Sequence, residues 1–276
     1  MATTATREPR SLRPVIVELV GAPGAGKTTL LPDAMEACRN AGLRPYTIVD
    51  AGRAFASRTL AGRAATAALP ERLRNKALWA IFLGGRSISA AAFAARRPGL
   101  ARYVLASARG RPAAANARER KVLHWYVRLM GSYGFLTSRG RAGDALVLDE
   151  GFLHRTVQLH TSAVEVPDVG RIDAYADLIP RPDLLVHVRA PIDVCERRVR
   201  SRGVWDRFHR EDPSELSRFV ANAHRATVLI AAAAEAKGWR VVEIDNDGSD
   251  PLEAGGALRA RIEAALDQRA RERSGR

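Results

Sequence analysis

Gly21-Ala22-Pro23-Gly24-Ala25-Gly26-Lys27-Thr28, directly after the apolar run Val15-Ile16-Val17-Glu18-Leu19-Val20, is the stretch on which the reading of the chain turns. It fits Gly-x-x-x-x-Gly-Lys-[Ser/Thr] at every fixed position, in the context of strand, loop and helix that the pattern requires. Glycines let the backbone curl so that successive N–H groups point inward at an anion, where side chains would block phosphates. Lys27 brings a point charge to the β and γ phosphates, and Thr28 offers a hydroxyl to Mg²⁺. The helix beginning near Gly26 adds the positive end of its dipole, and Leu30, Leu31, Ala34 and Met35 continue it at helical spacing. The stretch from Gly21 to Thr29 is therefore expected to hold a nucleoside triphosphate.

With 276 residues the chain is long enough for one large α/β domain with an insertion, or for two small domains. No run of about 18 apolar residues stands out as a membrane span. Met1 to Pro14 is polar, with Arg7, Arg10 and Arg13, and reads as a loose tail over 1–13, without the apolar segment of a secretory signal. Cys38 and Cys195 lack metal-type spacing and are expected as reduced thiols in a cytoplasmic protein.

The charge is uneven. From Ala51 to Asp144 there are 18 Lys and Arg against 3 acids (Glu71, Glu119, Asp144), a net +15, whereas the whole chain carries +14. The basic excess thus belongs to one segment. Such a surface attracts polyanions or phosphorylated ligands, although a solvated arginine-rich helical face has the same composition.

Taken in order, strand one is followed by the phosphate loop and a helix to about Asn40. Arg44 to Asp50 reads as strand two, with Asp50 at its carboxyl end, where open α/β sheets bind ligands. The basic segment 51–144 shows no strand pattern. Helical spacing recurs over Phe55–Leu69, Glu71–Leu83, Ser87–Ala95, Leu100–Ala108 and Pro112 to about Gly131, giving four or five helices as a cap beside the nucleotide. In the last, Leu123, Trp125, Tyr126, Leu129, Met130, Tyr133 and Phe135 form an aromatic-rich face suited to a core, a substrate clamp or a dimer contact.

Strand three, Ala145 to Leu148, ends in Asp149-Glu150. An apolar strand finishing in Asp downstream of a phosphate loop supplies a carboxylate for Mg²⁺, directly or through water. Gly151 to Thr161 reads as a helix carrying His154, Arg155 and His160, with no further ligand at metal spacing. Strand four is Asp183 to Val188. The helix after it leads into six arginines between 197 and 210, the composition of a lid that grips phosphates through planar guanidinium forks. A long helix from Pro213 to Lys237, strand five from Trp239 to Asp245, a turn at Asn246-Asp247-Gly248 and a helix from Pro251 to about Gln268 complete the chain. Residues 269–276 read as a frayed tail.

The order of phosphate loop, strand-three Asp, Pro182-Asp-Leu-Leu-Val-His-Val188, Glu196-Arg-Arg-Val-Arg-Ser-Arg-Gly203, Asp206-Arg207, long helix and Val241-Val-Glu-Ile-Asp245 resembles the thymidylate kinase and deoxynucleoside kinase branch of the P-loop kinases. The likeness covers about 15–50 and 145–250. It implies an α/β fold of the P-loop NTPase kind: a five-stranded parallel sheet in the order 2-3-1-4-5, flanked by helices and built from 14–50 and 145–268, with 51–144 as a helical insertion. It also implies that Arg198, Arg202 and Arg207 approach the transferred phosphoryl group, and that Asn246 and Asp247 lie near the adenine. On the acceptor side the chain departs from thymidylate kinases. Ala22-Pro23 stands where they carry an acid, and Asp149-Glu150 stands where they carry Asp-Arg, the nearest arginine being Arg155. Asp50-Ala51-Gly52-Arg53 replaces their Arg-Glu-Pro segment.

The leading expectation is Mg²⁺- and ATP-dependent phosphoryl transfer to a small acceptor, a nucleoside, nucleotide or other hydroxyl metabolite. Lys27, the loop amides and the lid arginines would spread the γ-phosphate charge, and Thr28 and Asp149 would hold the metal. A carboxylate near the acceptor hydroxyl, Asp50 first and Glu150 second, would take or orient its proton. Arg53 and Arg155 join Asp50 as acceptor-binding candidates. The alternative is an ATPase in which Glu150 orients an attacking water and hydrolysis acts on an anionic macromolecule. A nucleic-acid partner would rest on the basic segment alone.

Overall fold

The computed structural model describes residues 13–109, 116–203, 213–247 and 251–274. Five parallel strands form one sheet in the order β2-β3-β1-β4-β5. They are β1 (Val15–Val20), β2 (Arg44–Tyr46), β3 (Asp144–Leu148), β4 (Leu184–Arg189) and β5 (Val241–Asp245), accompanied among the described residues by eleven helices. β1 is central, paired with β3 from Val15↔Ala145 to Glu18↔Leu148 and with β4 from Val17↔Leu184 to Val20↔His187. A central parallel strand is covered on both faces, which is why β1 is buried at all six positions.

Alternation along β1 assigns its faces. Val15, Val17 and Leu19 pack in the cluster that includes Leu30, Ala34, Leu258 and Ile262 of α1 (Lys27–Asn40) and α11 (Pro251–Ser274). Ile16 and Val20 face the opposite layer, Ile16 against Phe55 and Phe82, Val20 against Phe152 and Tyr175. Glu18 stands between them on that same side, 1% exposed.

Five helices follow β2: α2 (Ile48–Ala56), α3 (Leu60–Ala68), α4 (Glu71–Arg96), α5 (Pro98–Arg109) and α6 (Asn116–Arg139). Strand two is shorter than the sequence pattern suggests. Thr47 caps α2, accepting the Asp50 N–H and donating its hydroxyl to the Asp50 carboxylate at 2.7 Å. Burial of Ala51, Phe55 and Ala56 then repeats at helical spacing. Capping and a buried face outweigh the β preference of Ile48 and Val49, so Asp50 sits in the first turn of a helix and not at a strand end.

The expected helix over Phe55–Leu69 is broken at Ser57–Thr59, where the Thr59 side chain caps α3. The two helices expected over Glu71–Leu83 and Ser87–Ala95 are one, because Gly85 is a packing feature and not a break. A Cβ on Gly85 would stand 2.5 Å from the Phe135 ring, and this close approach seats α4 on α6. α4 is long and apolar enough to cross a membrane by length and composition, a property that its many Ala and Gly residues hide from a search for bulky apolar runs. Here Leu78, Phe82, Ala90 and Phe93 are buried against its neighbours. The aromatic-rich face of α6 serves mainly as core: Tyr126, Leu129, Met130 and Phe135 are buried, Trp125 only partly.

The segment read as one helix over Gly151–Thr161 is a turn followed by α7 (Arg155–His160), and α8 (Val169–Leu178) is an element the sequence patterns do not announce. α9 (Ile192–Ser201) and α10 (Pro213–Ala236) match expectation. Residues 269–274 of the expected frayed tail are helical: α11 continues through Ser274, and Arg269 bonds Asp183 at 2.7 Å. Arg13 bonds the same carboxylate at 2.9 Å, tying down the end of the expected N-terminal tail, whose residues 1–12 lie outside the described residues.

Candidate functional site

Because all five strands are parallel, the segments after β1, β3 and β5 emerge at one edge of the sheet. After β1 the loop turns through Gly24 (φ 86°) and Gly26 (φ 95°), the left-handed conformations that glycine adopts without strain. The loop is also wedged from both sides. A Cβ on Gly24 would meet the Cys195 carbonyl oxygen at 2.2 Å, and one on Gly26 would meet Asn246 Nδ2 at 2.1 Å. Asn246 Nδ2 donates to the Ala25 carbonyl at 2.8 Å. Arg198 Nη1 donates to the carbonyls of Gly24 (3.2 Å) and Asn246 (3.1 Å), stapling the loop to the end of β5.

A cavity of about 500 Å³ opens above this loop. The loop and the start of α1 line it with Pro23, Gly24, Gly26, Lys27, Thr28 and Thr29; the far walls are Asp149, Glu150 and His154, then Arg198, Ser201 and Arg202, and finally Asn246. Lys27 is buried and folded back, Nζ donating to the carbonyls of Gly21 (2.7 Å) and Ala22 (3.1 Å). Burial lowers its pKa to about 8, against the pull of nearby Asp149. An ammonium held only by two carbonyls is ready to exchange them for phosphate oxygens.

Thr28 and Asp149 line the cavity together, as a shared Mg²⁺ would need. Among the described residues no three His, Cys, Asp or Glu side chains converge on a metal position. A hydroxyl and one carboxylate nevertheless fit Mg²⁺, which keeps several waters and takes its remaining ligands from phosphates.

Of the expected site residues, Gly21, Ala22 and Ala25 form the buried back of the loop, and Glu150, Arg198, Arg202 and Asn246 reach the cavity. Arg207 lies outside the described residues. Asp247 is exposed and is not part of the cavity lining. Asp50 and Arg53 stand apart on α2, Asp50 occupied with Thr47 and Arg53 lying 5.6 Å from the Trp79 ring centre. The early end of β2 removes the strand-end position from which Asp50 was expected to meet an acceptor. Arg155 sits just behind the cavity wall, 7% exposed, bonded to Glu150 at 3.2 Å and 5.5 Å from the Trp125 ring centre.

Glu18 is the residue that motif reasoning passes over. Its carboxyl lies beneath the turn after β3 and accepts the backbone N–H groups of Leu153 and, at 3.3 Å, His154. Burial raises its pKa to about 8 in spite of those bonds and the Arg155 charge. The signal was present in the sequence: an acid inside an otherwise apolar central strand must find partners on the protein. His154 was set aside as a metal ligand, yet it lines the cavity. Burial, reinforced by the charges of Lys27 and Arg155, holds its pKa well below the usual histidine value.

No protein-family model matches this chain, and no curated protein matches it.

Proposed function

We propose that this chain is a P-loop kinase that moves the γ-phosphoryl group of Mg²⁺-ATP to a hydroxyl of a small acceptor. The observation that carries the reading is the convergence of the buried Lys27 ammonium, the Thr28 hydroxyl and the Asp149 carboxylate on one cavity that Arg198 and Arg202 also line. The strand order, with the phosphate loop after the central strand and Asp149 after its neighbour, is the arrangement that the resemblance to thymidylate and deoxynucleoside kinases leads one to expect.

In this reading Lys27 and the loop N–H groups bind the β and γ phosphates, and Arg202 adds charge from the far wall. Thr28 and Asp149 would hold Mg²⁺, which neutralises charge developing on the phosphate oxygens. Arg198 serves mainly to hold the loop, since its guanidinium already bridges Gly24 and Asn246. With Asp50 engaged on α2, Glu150 is the carboxylate placed to receive the acceptor proton, and Arg155 orients it.

The test is ADP formation by the purified chain with Mg²⁺-ATP, alone and with pooled nucleosides, nucleoside monophosphates, sugars and aminoglycosides. A slow background that rises with one pool establishes the kinase and its acceptor class. Brisk hydrolysis unmoved by every pool would replace it with the ATPase reading.

A further inference from the structure

We propose that His154 is a neutral hydrogen-bond donor to the transferred phosphoryl group, its proton carried on Nε2, a role that rests on the phosphotransfer reading above.

Two observations bear on His154. Its main chain is pinned, the N–H by the Glu18 carboxyl at 3.3 Å and the carbonyl by the Val157 N–H at 3.2 Å. Its Nδ1 atom is buried with no hydrogen-bond partner. Histidine has three protonation forms. The imidazolium and the Nδ1–H tautomer both put a hydrogen on Nδ1, where nothing accepts it, and orphaned buried donors are rare. Only the Nε2–H tautomer leaves a bare lone pair there. The ring's polar hydrogen is then on Nε2, in a residue that lines the phosphate cavity.

The surroundings favour the same form. Lys27 and Arg155 are the cations acting on the ring, Asp149 and Glu150 line the same cavity, and Glu18 meets the main chain. Between two cations a third positive charge is repelled, whereas a neutral donor adds a hydrogen bond without that cost. In the transfer the acceptor oxygen bonds the γ-phosphorus, the bridging P–O bond breaks to release ADP, and the hydroxyl proton goes to Glu150. His154 keeps its Nε2 proton throughout, donating to a phosphoryl oxygen on which charge develops.

The proposal is tested on the full chain, uniformly labelled with ¹⁵N. Long-range ¹H–¹⁵N imidazole spectra, with His154→Gln assigning the resonance, should show an Nε2–H ring that does not titrate between about pH 5.5 and about pH 8. Its Nε2 signal should shift when Mg²⁺ and a non-hydrolysable ATP analogue are added. In ADP formation with Mg²⁺-ATP and the responsive acceptor pool, His154→Ala should lower turnover by about 10²-fold or more while analogue affinity changes little, and His154→Gln, which restores an N–H donor, should recover part of the loss. An Nδ1–H pattern, a titration near the usual histidine value, or His154→Ala turning over like the parent would overturn the proposal and leave the kinase reading intact. Failure of the analogue to bind the unaltered protein would overturn both.

Discussion

A Cβ placed on Gly151 would stand 2.3 Å from the carboxyl carbon of Glu18, so the turn after β3 lies flat against a buried acid of β1. This contact joins the strand before the glycine loop to the segment that presents Asp149, Glu150 and His154. Gly151→Ala should therefore destabilise the protein by about 1–3 kcal/mol, the usual cost of overpacking a buried site. Glu18→Ala should cost a similar amount, because it leaves the Leu153 and His154 N–H groups without their acceptor. The two changes are expected to be non-additive, since removing the carboxyl makes room for the methyl group. Urea unfolding of both single variants and the double variant measures the coupling. Additive losses would mean that the two residues do not act on each other.

The protonation of Glu18 should appear in the pH dependence of stability. Its pKa is about 8 in the folded chain against 4.5 as the ordinary value, burial being the cause. Between these two values the folded state holds a proton that the unfolded chain has released. This contribution to stability is complete below about 4.5 and is lost as pH rises through about 8, at no more than about 1.4 kcal/mol per pH unit. Glu18→Gln, which does not titrate, should gain stability relative to the parent across that window. Parallel pH profiles of the two proteins would count against a buried protonated acid.

Lys27 should announce phosphate binding by taking up protons. Burial holds its pKa near 8 while it rests on the Gly21 and Ala22 carbonyls. A triphosphate beside it raises that value, so at pH 8 binding should draw in about half a proton. Calorimetry of ATP-analogue binding in buffers of different ionisation enthalpy measures the uptake. Lys27→Met should abolish it and reduce turnover by about 10²-fold or more with the fold retained. Unchanged uptake in that variant would transfer the effect to another group.

Asp50→Asn should leave turnover close to that of the parent, because the carboxylate belongs to the α2 cap and does not line the cavity. Thr47→Ala, which removes the capping oxygen, should lower stability by about 0.5–2 kcal/mol. Thermal unfolding together with ADP formation separates the two effects. A large loss of turnover in Asp50→Asn at normal stability would return Asp50 to the acceptor site.

Asp183 anchors both ends of the chain, accepting from Arg13, from Arg269 and from the Ile16 N–H at 2.9 Å. Burial acts to raise its pKa, but the two arginines and the backbone bond hold it below the ordinary 3.8. Its contribution is thus present above 3.8 and lost as pH falls through the lower folded value. Deleting 269–276 should destabilise the protein near neutrality by about 1 kcal/mol or more and weaken this acid resistance. Equal acid and urea midpoints with and without the segment would make the end of α11 dispensable.

Much of the fold was legible in the chain because it is encoded locally. The glycines of the 21–26 loop need no partner to allow left-handed turns, Lys27-Thr28 follow by position, and the apolar strands before Asp149 and Asn246 announce the edge of the sheet where the cavity lies. Apolar runs and helical spacing placed β1, β3, β4, β5, α1, α9 and α10 within a residue or two. What the sequence by itself determined, then, was the parallel core and the glycine-loop side of the candidate site. The tertiary structure decided what depends on contacts between distant segments. Whether Ile48-Val49-Asp50 extends β2 or opens α2 is settled by the layer that Phe55 is buried against. Gly85 continues α4 because Phe135 occupies the space beside it. Glu18 finds its partners 135 and 136 positions away, and one of them, His154, lines the cavity. Local propensity is a matter of tenths of a kcal/mol to about one per residue, whereas leaving such a buried group unpaired costs more, so at these positions packing and polar pairing prevail.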